Sequence, residues 1–146
     1  MTTGSIDART DGDLSVDGVR ASGHEVRQTF PSAPESVADA RHFARGVCDR
    51  WHIGSAPDVE LCVSEVVANA VLHGHGEVGL EMVRTPWGVR VAVSDSERHL
   101  PVVRPPTRDG QGGRGMAIVS ALAVRWAARP TDDGKVVWFH ISDRAG

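Results

Sequence analysis

The chain has 146 residues, of which 40% are hydrophobic and 24% charged, and its formal net charge at pH 7 is −3. This length suffices for one two-layer core and is too short for two. The weak negative charge and an aromatic content of 5% argue against direct nucleic-acid binding, which needs a basic surface and stacking side chains. The sequence shows neither a membrane-spanning stretch nor a signal peptide, so we expect a cytoplasmic protein without a membrane partner.

The beginning of the chain differs in composition from the rest. Residues 1–24 are rich in Thr, Ser, Gly and Asp and poor in apolar residues, so we expect them to form a disordered arm. Residues 25–146 carry the apolar patterns of a single domain. A short strand is predicted at its start, over residues 25–30.

Two helices are predicted next, each with its own start signal. Residues 32–35 (Ser-Ala-Pro-Glu) have the pattern of a capping box, and residues 55–58 (Ser-Ala-Pro-Asp) have a similar one. We expect Gly54 to end the first helix and Gly74 to end the second. Apolar residues recur at three- and four-residue intervals in both, namely Val37, Ala40, Ala44, Val47 and Trp51, and then Val59, Val63, Val66, Val67 and Ala70.

The second half of the domain predicts two hairpins separated by a helix. Apolar residues alternate over residues 78–82 and 89–93 on either side of a turn at residues 85–88. A helix is predicted from residue 114 to about residue 123, and a second hairpin turns at residues 130–134 before a last strand over residues 136–142. Helices grouped with such strands predict an α+β fold, a two-layer sandwich with the helices on one face of a mixed, mostly antiparallel sheet.

The second predicted helix carries polar residues opposite its apolar stripe. Glu65 and Asn69 are four residues apart and therefore neighbours on one helix face, with His73 one turn further on. A carboxylate and an amide in this arrangement can hold a hydrated cation and orient a reacting hydroxyl or water. The alternative is an ordinary exposed Glu beside an Asn that the helix tolerates.

Two further segments carry candidate binding residues. A strand ends in Asp95, whose carboxylate can accept a hydrogen bond from an amino group such as that of adenine, or can simply cap a turn. A glycine-rich stretch over residues 109–115 opens directly into the predicted helix. Glycines allow a phosphate to approach the backbone and a helix N-terminus offers free N–H groups, although a flexible surface loop would have the same composition.

These segments, in this order, are the basis of a family resemblance. The chain resembles the small anti-sigma-factor serine/threonine kinases of bacteria, which belong to the GHKL superfamily of histidine-kinase-like ATPases. Residues 65–69 match the asparagine box of that family, Asp95 matches its adenine-recognising Asp, and residues 113–115 (Gly-Arg-Gly) match its second glycine box. The resemblance covers about residues 26–142. One departure is Glu97, which stands where the first glycine box of the family usually has Gly.

The resemblance implies a fold of the histidine-kinase-like ATPase type and a role for each matched residue. Asp95 would bind the adenine amine, Asn69 would hold Mg²⁺, and Glu65 would be the catalytic base. ATP phosphates would lie against Gly113, Arg114 and Gly115, under a lid formed by residues 100–112. These roles are typical of Mg²⁺-dependent phosphoryl transfer from ATP to a serine or threonine hydroxyl.

The resemblance also implies protein partners and leaves two functions open. The expected partners are a sigma factor and an anti-sigma-factor antagonist protein that is phosphorylated on Ser or Thr; a homodimer is left open. An active kinase is favoured by the Glu65/Asn69 pair, whereas Glu97 favours a non-catalytic module that regulates by binding alone. A third alternative is an ATPase that uses water as the acceptor.

Three residues outside these motifs complete the sequence-based predictions. Cys48 and Cys62 fall on apolar faces of separate helices without a metal-ligand pattern, so we expect buried free thiols. Lys135 is the only lysine in the chain, and we attribute that to genome composition because the arginines are scattered. Without a Gly-Lys-Ser/Thr sequence, the chain has no Walker-type phosphate loop.

Overall fold

The computed structural model describes residues 24–73, 75–97 and 114–143. Eight helices and strands lie in these ranges. In chain order they are β1 (Glu25–Pro31), α1 (Glu35–Trp51), α2 (Ala56–His73), β2 (Glu77–Thr85), β3 (Gly88–Asp95), α3 (Arg114–Leu122), β4 (Arg125–Pro130) and β5 (Lys135–Ser142). The predicted disordered arm, apart from its last residue, the predicted lid over residues 100–112, Gly74 and Gly113 lie outside the described residues.

The strands form one five-stranded sheet in the order β1-β2-β3-β5-β4. All four pairings are antiparallel, so the mixed sheet that the sequence prediction allowed is wrong in this respect. Both predicted hairpins are present, β2 with β3 and β4 with β5. The α+β fold is confirmed. None of the helices in the described residues is long and apolar enough to cross a membrane.

The core lies between the sheet and the helices, where alternating strand residues meet the helical stripes. Val89, Val91 and Val93 of β3 are fully buried, and their partners on β5 include the buried Phe139. The predicted α2 stripe is buried in full, and in α1 only Val37 remains partly exposed. Burial of this apolar surface is the main favourable term in folding.

The capping box predicted for α1 and the predicted end of that helix are wrong, and the hydroxyl of Ser55, before α2, has its partner outside the helix. At the start of α1 no side chain caps the helix; instead the Ser36 hydroxyl donates to the Pro31 carbonyl at 2.6 Å. The helix ends not at Gly54 but at Trp51, and the C-cap residue His52 has the left-handed conformation with φ 57°. Before α2, the Ser55 hydroxyl donates at 2.9 Å to the carbonyl of Ser142 and so ties this helix to the end of β5.

Candidate functional site

Asp95 lies at the end of β3 and forms a buried ion pair with Lys135, the first residue of β5. The two residues are directly opposite each other in the antiparallel register. Lys135 Nζ is 3.1 Å from Asp95 Oδ1 and 3.0 Å from Oδ2, and the two side chains are only 2% and 3% exposed. Both follow the core-facing rows of their strands, so the alternation that buries the valines also buries this pair.

A second bond explains why Asp95 also ends its strand. The backbone N–H of Glu97 donates to Asp95 Oδ1 at 2.7 Å, which is the turn-capping role that the sequence left open. Lys135 Nζ lies 3.5 Å from the Glu97 carbonyl, at the outer limit of a hydrogen bond. Among the described residues, Asp95 Oδ1 therefore accepts from two donors, while Oδ2 accepts from Lys135 alone. Since a carboxylate oxygen has two lone pairs, Oδ2 can accept one further hydrogen bond.

Gly134 allows Lys135 to reach Asp95. A Cβ at position 134 would lie 1.8 Å from the Asp95 carbonyl oxygen and 2.7 Å from Ser96 Cα. Those are backbone atoms that a side chain cannot displace cheaply, so only glycine fits this turn. The sequence analysis missed the role of Lys135. Its signal was a lone lysine after a glycine at the start of a strand, in a chain that otherwise uses arginine.

Glu65 and Asn69 lie on the face of α2 that turns away from the core stripe, and both are half-buried. Within the described part of the chain, neither side chain has a hydrogen-bond or ion-pair partner. The predicted neighbours are therefore on the same helix face, and none of the described residues bonds to their side-chain oxygens. The side chain of His73, one turn further on, is not among those described.

The start of α3 lies against Glu65. A Cβ built on Gly115 would come within 3.1 Å of Glu65 Oε1 and 3.2 Å of Glu65 Cβ. This close approach is set by packing, because Met116 and Val119 of α3 are buried in the core. The structure thus brings Gly115 of the predicted second glycine box against Glu65 of the predicted asparagine box, although 50 residues separate them in sequence. The backbone of Arg114 belongs to α3, but its side chain is not described.

A contact that the sequence analysis did not anticipate joins the segment after α2 to the segment after β3. The backbone N–H of His75 donates to Ser96 Oγ at 2.8 Å, and Ser96 Oγ donates to the His75 carbonyl at 2.6 Å. His75 Nδ1 is a further 3.0 Å from the same hydroxyl. Since Ser96 directly follows Asp95, this reciprocal pair fixes the position of the α2–β2 connection beside the Asp95 end of the site.

The comparison with protein families matches this architecture. The family model of the histidine kinase-like ATPase domain matches residues 30–141, which is most of the chain. The chain belongs to the histidine kinase-like ATPase domain family. Membership indicates ATP binding and a regulatory, kinase-like role. A search of the curated proteins found no match.

In this ATPase domain, the two cysteines are buried free thiols, as predicted. Burial raises the pKa of the Cys48 thiol to about 12, with smaller contributions from Glu60, Asp49 and Asp143. Burial likewise raises the pKa of Cys62 to about 12, and the nearby Asp58 and Glu65 carboxylates add to this effect. Both thiols stay protonated at neutral pH, so neither is a nucleophile or metal ligand there.

In the described part of the chain, the acidic and thiol side chains of the ATPase domain do not form a preassembled metal cluster. Among the described residues, no group of three or more His, Cys, Asp or Glu side chains converges as a metal site. Magnesium, however, is usually held by one or two protein oxygens together with waters and substrate phosphates. The amide oxygen of Asn69, which has no hydrogen-bond partner among the described residues, is a ligand of the required hard-oxygen type.

Proposed function

We propose that this ATPase domain is a Mg²⁺-dependent protein serine/threonine kinase whose acceptor is an anti-sigma-factor antagonist protein, and that it also binds a sigma factor. The observation that carries the proposal is the contact between Glu65 and Gly115. It sets a carboxylate with no described partner beside the N-terminal end of a helix, where backbone N–H groups favour phosphate. A base next to a phosphate site is the arrangement that phosphoryl transfer to a hydroxyl requires.

ATP fits the residues at both ends of the site. At the Asp95 end, the free lone pair on Oδ2 can accept from the adenine amine. At the α3 end, Gly115 allows the helix start to lie close to Glu65, so phosphate oxygens bound at the backbone N–H groups of that helix start would be near the carboxylate. Asn69 would hold the magnesium ion, which neutralises phosphate charge when bound. Gly113 and Arg114 are proposed phosphate contacts on the strength of the motif.

In the proposed reaction, the protein positions an acceptor and removes its proton. Glu65 accepts the proton of the serine or threonine hydroxyl as that oxygen attacks the terminal phosphorus of ATP; the bond from this phosphorus to the β,γ-bridging oxygen breaks, and ADP leaves with the electron pair. A positioned base of this kind contributes about 10²- to 10⁴-fold in rate. Gly115 lets the start of α3 pack closely against Glu65, since a Cβ at that position would lie only 3.1 Å from Glu65 Oε1.

A non-catalytic domain that regulates a sigma factor by binding alone is the second candidate function. This alternative is supported by the ion pair at the Asp95 end of the site, where Lys135 already contacts both carboxylate oxygens of Asp95. The presence of Glu97 in place of the glycine that is usual in the family also favours a non-catalytic domain. In this alternative the ion pair is purely structural and nucleotide is not needed for partner binding.

Labelled phosphate transfer separates the two candidates. The purified full chain is incubated with Mg²⁺ and γ-labelled ATP, together with each antagonist-type protein encoded in the same genome, tested one at a time. We expect one antagonist to become labelled on Ser or Thr, and Glu65→Gln to lower the rate at least about 100-fold. Label on no protein with free phosphate released would instead identify an ATPase, and neither product would favour the non-catalytic domain.

Glu60→Gln is the matched control for Glu65→Gln. Glu60 is also on α2, but its carboxylate, on a side chain that is 16% exposed, pairs at 3.6 Å with the 61% exposed side chain of Arg45. Such pairs contribute little to stability. The control variant should transfer phosphate at the wild-type rate. Equal rates for Glu65→Gln, Glu60→Gln and the wild type would remove Glu65 from the base role.

A further inference from the structure

We propose that Lys135 is a specificity-determining residue that donates a hydrogen bond to N1 of adenine, while Asp95 accepts from the adenine 6-amino group. This inference rests on the proposed nucleotide binding and extends it, because it assigns a second base contact to a residue outside the matched motifs. The basis is the direct opposition of the two residues on β3 and β5, with Nζ 3.0 Å from Oδ2.

One of the three N–H groups of the Lys135 ammonium has only a weak hydrogen bond. The ammonium carries three N–H groups and no acceptor. Two contacts of normal length go to the Asp95 oxygens, at 3.0 and 3.1 Å, and the third goes to the Glu97 carbonyl at 3.5 Å. That third contact is long enough to be weak, so a better-placed acceptor can replace it at little cost.

Together the two side chains present an acceptor next to a donor. On the pairing edge of adenine, the 6-amino donor is adjacent to the N1 acceptor, so the pair and the base are complementary. Guanine has the reverse order, with an acceptor at O6 and a donor at N1. It would place its carbonyl against the carboxylate and its N–H against the ammonium. A lone carboxylate cannot make this distinction, because either base offers it a donor.

The pair is held rigidly, which makes the distinction effective. Lys135 is buried, begins a strand that is paired on both sides, and follows a glycine that no other residue can replace without a clash. Neither side chain can turn to suit a different base without leaving the other charge buried and unpaired. Sites that hydrogen-bond a substrate through buried polar groups discriminate strongly against analogues that leave those groups unpaired.

The proposal is tested by calorimetric titration of the full chain with ATP and three analogues. In 1-deaza-ATP a C–H replaces N1; 7-deaza-ATP is altered away from the pairing edge and serves as the control; GTP has the reversed edge. For the wild type we expect 1-deaza-ATP to bind at least about tenfold more weakly than ATP, 7-deaza-ATP to bind equally, and GTP to bind weakest. Equal affinities for ATP and 1-deaza-ATP would overturn the role of Lys135 and leave nucleotide binding intact.

Lys135→Met then connects the N1 preference to this side chain. The variant should bind ATP about as weakly as 1-deaza-ATP and lose the preference between them, whereas a retained tenfold preference would overturn the proposal. Should the variant fail to fold, Lys135→Met combined with Asp95→Asn, which removes the unpaired buried charge, is titrated in its place, and a retained tenfold preference for ATP over 1-deaza-ATP would again overturn the proposal. A folded wild type that binds none of the four nucleotides would overturn the proposed function itself, which is a distinct outcome.

Discussion

The two ends of the site differ in how their polar groups are satisfied. At the Asp95 end, Asp95 and Lys135 are buried and bonded to each other and to the turn that follows β3. On the helix face, Glu65 and Asn69 are half-buried and have no side-chain partner among the described residues. The Asp95 end is therefore part of what holds the sheet together, whereas none of the described residues bonds to the side chains of the helix face.

This difference predicts which substitutions unfold the protein and which silence it. Removing one member of a buried ion pair leaves an uncompensated charge, which is among the most destabilising single changes. Removing a half-buried side chain without partners costs almost nothing in stability. Stability and activity should thus separate along the length of the site, and the predictions below test that separation.

The largest effect is expected from Lys135→Met. It leaves the Asp95 carboxylate buried without its cation and should lower the free energy of unfolding by about 3–5 kcal/mol. Urea denaturation of the variant and the wild type measures the difference. Adding Asp95→Asn in the same chain should restore much of the loss, because the buried charge is gone. If Lys135→Met on its own were as stable as the wild type, the ion pair would not support the fold.

Gly134→Ala should have the next largest effect. Its Cβ would overlap the Asp95 backbone, and overpacking of this kind costs about 1–3 kcal/mol or more. The matched control is Gly46→Ala, since nothing lies within 4 Å of a Cβ at that position of α1. The control should be neutral or stabilising by up to about 1 kcal/mol. Urea denaturation giving equal losses for both would contradict the close approach at Gly134.

A smaller effect, restricted to acidic pH, is expected from His140, which is on the same strand as Lys135 but on the opposite face of the sheet. Burial lowers the pKa of His140 below 6.5, and Arg90 and Arg125 lower it further. The unfolded chain therefore binds a proton first as the pH falls, so stability declines below about pH 6.5. His140→Gln should reduce this decline in urea denaturations at about pH 7 and about pH 5.5. If the loss of stability between these two pH values were the same in His140→Gln as in the wild type, His140 would not be its cause.

The smallest effect on stability is expected from Glu65→Gln and Asn69→Ala. Each should change the free energy of unfolding by no more than about 0.5 kcal/mol, because neither side chain has a described partner to lose. The same denaturation measurement applies. A loss as large as that of Lys135→Met would mean that the two ends do not differ in the way described.

The fold was predictable where local pattern and tertiary packing agree. The alternation of apolar residues predicted β2, β3 and their buried faces, and the apolar stripe predicted α2 and its buried face. The period of each pattern indicates which side of the element meets the core. The helix caps were predicted wrongly because local pattern and tertiary packing disagree at these positions. Ser55 bonds to Ser142, which is 87 residues away in sequence, so a local capping pattern carried no information about its partner.

The candidate site was predictable only in part, and for a similar reason. Asp95, Glu65 and Gly115 stand in recognisable motifs, and the structure brings Glu65 and Gly115 together. Their functional roles stay predictions. Lys135 could not be assigned, because its partner is 40 residues earlier in the chain and only the sheet register sets the two opposite each other.

The most direct test of the central claim is calorimetric titration of the full chain with ATP, with and without Mg²⁺, for the wild type and Asn69→Ala. We predict magnesium-dependent binding to the wild type, weakened at least about tenfold in a variant that remains equally stable. A folded wild type that shows no binding at millimolar ATP would contradict it, and the domain would then regulate its partners by protein contact alone.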